Sequence, residues 1–483
     1  MSGLEWTPEQ EELRDAVRAV LARHPGHAAW APLTAQVGAA ALAVPEEYGG
    51  LGCGAAEVGV VMAELGRALS PVPYLGSAVL TVQALLASGD EEACAKHLPA
   101  LAQGSLVGAL AWAESPRGGP DAGAWPNPGA GQGAGAWPNA GKSPGPTPGR
   151  GPDPTPGGSQ SPTPGGSHGP TPGGSQSPTP SEAQGPTPGG GQGPGPGPGT
   201  APRPAAALGP GLRAGRGGWE AADIATRAEP DGAGWLLTGT KQYVLAGPAE
   251  PSLILVLATI GGAPGPGSQP GQGNGTGTTP GQGNGRLGLF ELTAPPAAFT
   301  SRSTMDRTRP LAELTLARTP ARLLSPDGAG VLARVRDLAC TALAAEQAGA
   351  AARALEATVR YAKDRIQFGR PIGSFQAVKH RLADMYTAVE SARSIALAAA
   401  AAEAPPHLAA AAKSACSQAY SYVAGEMIQL HGGIGITWEH EAHEFFKRAH
   451  GSALLFGSPA EHRARIATEL GYGPGRADVP SGP

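Results

Sequence analysis

Four cysteines in 483 residues, Cys53, Cys94, Cys340 and Cys416, lie far apart and form no CxxC pair. That spacing excludes a disulfide framework and zinc ribbons, fits a reducing compartment, and leaves the thiols as small buried side chains. No long lysine or arginine run occurs and the net charge is −4, so the chain has no basic field for a nucleic-acid backbone. One apolar tract, about Ile395 to Ala402, is alanine-dominated and stops at Glu403-Ala404-Pro405-Pro406. It is far short of the ~20 residues that span a bilayer. Met1 to Trp6 carries neither the basic nor the apolar segment of a signal peptide, so a soluble, cytoplasmic protein without a membrane partner is expected.

What the chain has in excess is glycine and proline, 75 and 51 residues, concentrated in two places. In the first, residues 117–216, Gly-Ala-Trp-Pro-Asn recurs at 123 and 135, and Pro-Thr-Pro-Gly-Gly-Ser at 154, 162 and 170. So few apolar groups cannot offset roughly 1–2 kcal/mol of backbone entropy per ordered residue, which predicts a disordered insertion. Glycine does not fall at every third position, so the segment is not collagen. The second, residues 261–285, repeats Gly-Gln-Gly-Asn-Gly and reads as an extended surface loop.

Outside these segments the pattern is orderly. Thr7 as N-cap, Pro8 at the first helical position and Gln10 three residues after the cap open a helix with Leu13, Val17, Val20 and Leu21 on one face. Alanine- and leucine-rich helical segments continue to about Gln103. Strands are predicted at 235–241, 253–257, 287–292 and 311–316. From about Val331 to Glu469 the pattern is helical again. Phe375, Val378, Leu382, Met385, Val389, Ala392 and Ala396 form a stripe spaced by threes and fours, and a further helix from about Pro406 to Leu430 stops at Gly432-Gly433. The expected fold class is α+β: an N-terminal helical domain over 1–105, a middle antiparallel β-domain from 106–116 and 217–327, a C-terminal four-helix bundle over 328–471, and a tail over 472–483.

Two stretches carry chemistry. Arg365-Ile366-Gln367-Phe368-Gly369-Arg370-Pro371-Ile372 joins a cation, an aromatic and a turn to the start of a long helix, and Gln429-Leu430-His431-Gly432-Gly433-Ile434-Gly435 ends another. A dinucleotide presents a pyrophosphate and an adenine, which call for a cation, closely approaching backbone donors and a flat apolar contact. Arg365, the Gly432-Gly433 turn and Phe368 are groups of those kinds. Gly433-Ile434-Gly435 is no Rossmann fingerprint, since it lacks the third glycine and follows a helix. His440, His443 and Glu444 could share a helical face, but their spacing is not HExxH and no metal site is expected.

Together the two stretches closely resemble the flavin-binding signatures of acyl-CoA dehydrogenases, and the order of helices, β-domain and helix bundle resembles that fold. Val44-Pro45-Glu46-Glu47-Tyr48-Gly49-Gly50-Leu51-Gly52 is similar to a turn of the same family. The resemblance implies FAD as cofactor, an acyl-CoA substrate dehydrogenated between its α and β carbons, and an electron-transfer flavoprotein as acceptor. It implies that Arg365, Gln367 and Phe368 reach the FAD of a neighbouring subunit, and that Gln376, Gln429, Gly432 and Gly433 lie near its adenine and pyrophosphate; His431 is a further cofactor-side residue by the same resemblance.

The resemblance breaks down at the reacting end. The family's Tyr-Glu-Gly-Thr run, which carries the base, corresponds to Leu455-Phe456-Gly457-Ser458, with Phe456 in place of the glutamate. The alternative base position falls near Ala339. Asp337 and Glu346, nearby on that helix though neither at the matching position, are the candidates for the base, and the catalytic residue is otherwise left unknown. Beside the ring, Ala113-Glu114-Ser115-Pro116 and Tyr243-Val244-Leu245 replace Thr-Glu-Pro and Trp-Ile-Ser/Thr. The carboxyl-terminal run is similar to actinobacterial members, including subunits that pair with a second, catalytic chain for bulky substrates such as steroid side-chain thioesters. Two readings follow: a FAD-dependent dehydrogenase in a homo- or hetero-oligomer with a paralogous subunit, or a non-catalytic subunit completing the FAD site of a catalytic partner.

Overall fold

The computed structural model describes residues 6–114, 223–245, 247, 250–261 and 286–472; the glycine- and proline-rich segment 117–216, the loop beyond Gly261 and the tail beyond Tyr472 lie outside them. Helix α1 (Pro8–Arg23) starts as its sequence predicts, with Gln10 N donating to Thr7 Oγ1 at 3.3 Å and Thr7 N donating back to Gln10 Oε1 at 3.2 Å. Val17 and Val20 are buried beneath it. Helices α2 (Trp30–Val37), α3 (Ala55–Arg67), α4 (Val82–Ser88) and α5 (Glu91–Ala102) complete the N-terminal unit, with a π-helical stretch at Leu75–Thr81. Arg18 of α1 fixes α3 by a two-pronged contact to the buried Glu64, at 2.7 and 2.9 Å.

The β-domain holds β1 (Gly108–Ala111), β2 (Arg227–Asp231), β3 (Gly234–Val244), β4 (Leu253–Ile260), β5 (Arg286–Leu292), β6 (Ala298–Arg302) and β7 (Leu311–Ser325). The four predicted strands are present and longer than their apolar runs. Pairings run β4-β2-β3-β7-β5 and back to β4, closing a ring, with β1 added beside β4 and β6 beside β7. The sheet is mainly antiparallel, but β1 and a short part of β2 lie parallel to β4. A strand covered on both faces needs apolar residues facing both ways, which is what the uninterrupted Leu253–Ala258 run provides. Ile254, Val256 and Ala258 face the sheet's own core, whereas Leu253, Leu255 and Leu257 join the core shared with the helices. Glu114 at the end of one described stretch meets the start of the next, accepting from Ala225 N at 2.6 Å and from Thr226 N at 2.9 Å.

Helix α6 (Gly328–Asp364) begins the C-terminal unit, followed by α7 (Gln376–Ala401), α8 (Pro406–His431), α9 (Ala442–Leu454) and the short α10 (Pro459–Glu469). Its attachment to α3 is backbone on backbone: a Cβ on Gly66 would sit 2.1 Å from Glu346 O, and one on Gly349 2.1 Å from Ala63 O. Larger residues would drive the helices apart. On α7, Met385, Val389, Ala392 and Ala396 are buried, while Phe375, Val378 and Leu382 are only half-buried at the bundle end that carries the signature hairpin. All four cysteines are free thiols; Cys94, Cys340 and Cys416 are buried and Cys53 half-buried. Among the described residues no helix is long and apolar enough to cross a membrane, and no cluster of three or more histidine, cysteine or acidic side chains is arranged for a metal.

Candidate functional site

The last turn of α6 runs into a tight hairpin, β8 (Ile366–Gln367) against β9 (Arg370–Pro371). Its two turn residues, Phe368 and Gly369, have φ of +52° and +74°, the pattern of a type I′ turn. A phenylalanine accepts this backbone only at a cost, and here its ring is 91% exposed. Arg370 lies 4.0 Å from the centroid of Phe375, and Phe368 meets Phe375 edge-on at 6.0 Å. Arg365 is exposed and has no carboxylate within 4 Å among the described residues. Gln367 and Gln376 are also exposed, Gln376 reaching His380 at 2.8 Å.

The second signature leaves the same end of the bundle. Helix α8 terminates at Gly432, where φ is +63° and ψ −142°, a backbone that favours glycine. A Cβ on Gly432 or Gly433 would meet nothing within 4 Å, so the turn's backbone faces open space. His431, 3% exposed, stacks on Tyr361 of α6 with ring centroids 4.3 Å apart. Tyr361 lies one turn before Arg365, which ties the hairpin and the glycine turn to one contact. Burial, with His440 4.3 Å away, lowers the His431 pKa despite its bond to Met427 O, and the neutral ring donates that bond through Nδ1 at 2.7 Å. Gln429 is exposed on the last turn of α8. An unpaired guanidinium, an open glycine backbone and a bare aromatic ring suit a flat anionic ligand.

On the β-domain side, Lys241 is fully buried and donates to Glu114 Oε1 at 2.5 Å and Trp112 O at 3.3 Å. Burial pushes the Glu114 carboxyl up, but Lys241 and the Thr226 contacts outweigh it and hold it below the ordinary value. Two residues on, β3 bulges: Tyr243 takes φ of +57° and turns outward while Val244 and Leu245 stay buried.

The segment 455–458, where the resemblance sets the base, is packed shut. Phe456 is 2% exposed at φ +65°, its ring 5.4 Å from Trp112. Its carbonyl accepts from His462 Nε2 at 2.9 Å, and the Gly457 carbonyl from the buried Lys413 at 3.1 Å. Ser458 then caps α10 reciprocally with Glu461. Ala339, at the alternative position, is fully buried.

The two nearby carboxylates are engaged elsewhere. Asp337 Oδ1 is ion-paired with Arg465 Nη1 at 2.7 Å and accepts from Arg336 Nε at 3.3 Å. Glu346 Oε1 receives Arg309 Nη2 and, at 3.0 Å, Arg448 Nε, beside a small cavity of about 30 Å³ where the three units meet. Sequence reasoning missed Arg309, Arg448, Lys413 and His462. Arg448 had a signal: it sits among Phe445, Ala449 and Ser452 on the buried face of α9.

Two family models match the chain, the acyl-CoA dehydrogenase N-terminal domain over residues 7–105 and the C-terminal domain over 328–471. The acyl-CoA dehydrogenase IpdE2 of Mycobacterium tuberculosis is 32% identical over 481 residues, covering 96% of this chain and 98% of that one. IpdE2 of Mycolicibacterium smegmatis is 48% identical over 169 residues, 35% of this chain and 52% of that one. Among solved structures, the ChsE4-ChsE5 complex from Mycobacterium tuberculosis superposes with a TM-score of 0.64 at 22% identity, covering 98% of this chain and 99% of that chain, a likeness of fold. With matching models at both ends and a relative aligned along nearly its whole length, the chain belongs to the acyl-CoA dehydrogenase family.

Proposed function

We propose that this chain is one subunit of a heteromeric FAD-dependent acyl-CoA dehydrogenase and completes the cofactor site of a catalytic, paralogous partner. The observation that carries the reading is the split between the two ends of the site. The cofactor-side residues are exposed, with Arg365 free of any carboxylate within 4 Å among the described residues, while both base positions hold apolar side chains in the core. Arg365 would set a fixed positive charge against the pyrophosphate, the Gly432-Gly433 backbone would approach it, and Phe368 would cover the adenine, with Gln367, Gln376 and Gln429 supplying polar contacts. The flavin, when bound, supplies the hydride acceptor for α,β-dehydrogenation of an acyl-CoA thioester, and an electron-transfer flavoprotein takes the electrons onward.

Removing the α-proton requires a carboxylate with an oxygen free to face it. Asp337 and Glu346 each share their charge with arginines, which supports a structural role for both and a base carried by the partner. The test is FAD stoichiometry and acyl-CoA-dependent bleaching of the flavin absorbance, on the chain alone and coexpressed with a neighbouring paralogue. Little flavin alone, and a bleachable flavin in the coexpressed complex, is the expected result. A full flavin per subunit that bleaches in the isolated chain would overturn it.

A further inference from the structure

Ser70, Arg309, Glu346 and Arg448 all line the cavity of about 30 Å³, and all four are buried. Arg448 Nη2 donates to Ser70 O at 3.2 Å, and Arg309 Nη2 reaches Ser452 Oγ at 3.3 Å as well as Glu346. Two donors are left over. The Ser70 hydroxyl and Arg309 Nε are buried and have no acceptor among the described residues. Buried donors of this kind, lining one cavity, mark a place for a species that accepts hydrogen bonds. The volume suits a single occupant the size of water or chloride and is far too small for an acyl chain.

Charge decides between the two. Arg309 and Arg448 converge on one carboxylate oxygen, Glu346 Oε1. Asp306 is the other acid facing them; its Oδ2 lies 3.6 Å from Arg448 Nη1, while Oδ1 accepts from Thr308 N at 2.9 Å. A third buried cation, Lys413 of α8, donates to Ala453 O at 3.2 Å, beside the Ser452 that Arg309 touches. Its other acceptors, Ser417 Oγ and Gly457 O, are neutral, and it has no carboxylate within 4 Å among the described residues. Glu461 faces it from α10 but is half-buried and accepts from Ser458 N at 2.6 Å. The other buried acids of the helical units, Glu64 and Asp337, each face two arginines of their own. Three buried cations thus share two buried carboxylates, and a low-dielectric interior magnifies the excess. Burial, and then Arg448, lower the Arg309 pKa accordingly. Water would satisfy the two donors and leave the charge; a small anion does both. We propose that this cavity binds one monovalent anion the size of chloride, held between the Ser70 hydroxyl and Arg309 Nε. Ser70 follows α3, Arg309 precedes β7 and Arg448 lies on α9, so the anion ties the N-terminal helices, the β-domain and the bundle together. The site stands whether or not the chain works as the subunit proposed above.

The experiment is thermal unfolding of the full-length chain, alone or with whatever partner copurifies, at one ionic strength as sodium gluconate is replaced by sodium chloride or bromide. Gluconate is too large to enter the cavity. The melting temperature is expected to climb saturably with halide, as it does for any ligand that binds the folded state. Ser70→Ala removes the orphan hydroxyl, so in gluconate the variant should melt no lower than the wild type. Its half-saturating halide concentration should rise roughly tenfold, the loss of one hydrogen bond to a charged group. A crystal soaked in bromide should show the anomalous peak between Ser70 Oγ and Arg309 Nε. Melting curves that coincide in gluconate and halide, or halide stabilisation equal in wild type and variant, would show that water fills the cavity and overturn the site. A soaked crystal with no bromide there would do the same.

Discussion

Phe456 lies on Trp112 with ring centroids 5.4 Å apart and planes inclined at 55°, in the segment where the resemblance sets a catalytic glutamate. A carboxylate in that place would face an indole within the apolar core. Restoring the family residue is therefore expected to fail: Phe456→Glu should lower stability by on the order of 3–5 kcal/mol, because it buries an uncompensated polar group and loses the ring's packing. A thermal melt reads the loss. Acyl-CoA-dependent bleaching gained at unchanged melting temperature would show that the segment is an intact catalytic loop.

Arg365 and Phe368 predict the opposite pattern. Both are exposed, so Arg365→Ala and Phe368→Ala should change the stability of the isolated chain by no more than about 0.5 kcal/mol. In the assembled complex each should weaken FAD retention roughly tenfold, the scale of one charge-assisted contact or one stacked ring. Flavin content after gel filtration is the measurement, and unchanged content would remove these residues from the cofactor site.

Glu346→Gln separates structure from chemistry. The amide would take from the buried Arg309 its ion-pair partner and leave Arg448 only Asp306 at 3.6 Å, at a cost of about 3 kcal/mol. A large fall in the urea midpoint is expected. Turnover abolished in the complex at an unchanged midpoint would instead mark Glu346 as the base.

His462 makes the fold sensitive to acid. Burial foremost, then Lys413, pushes its pKa down to about 4, while the unfolded chain titrates near 6.5. Between these values the unfolded state binds more protons. Stability is therefore full above pH 6.5 and falls on acidification to pH 4, by roughly 3 kcal/mol for this group. Urea unfolding at pH 7.5 and 4.5 measures the drop, and His462→Gln should flatten that part of the profile.

The helices were largely legible because their signals are local. Thr7 and Gln10 mark a start, Gly432 marks a stop, and the stripe through Met385, Val389 and Ala396 marks a buried face. Strands with strong apolar runs were legible too. β1 was not, since Gly108-Ala109-Leu110-Ala111 has no β-branched residue and exists by pairing with β4. β2 contains Pro230, and β6 is short and mostly exposed; both are held by longer neighbours. At the site, Arg365, Phe368 and Gly432 announce themselves through motif and spacing. The convergence of Arg309 and Arg448 on Glu346 joins three distant parts of the chain, and no local pattern encodes it.

Glu114 gathers the amides of Ala225 and Thr226 and the ammonium of Lys241, so one carboxylate seals the point where the chain departs after residue 114 and re-enters before β2. The barrel is thereby closed independently of whatever is spliced between those two points, because loop-closure entropy rises only logarithmically with length. This junction is a natural graft site: a short linker, a fluorescent reporter or an affinity module could replace residues 117–216 while the rest of the fold keeps its register.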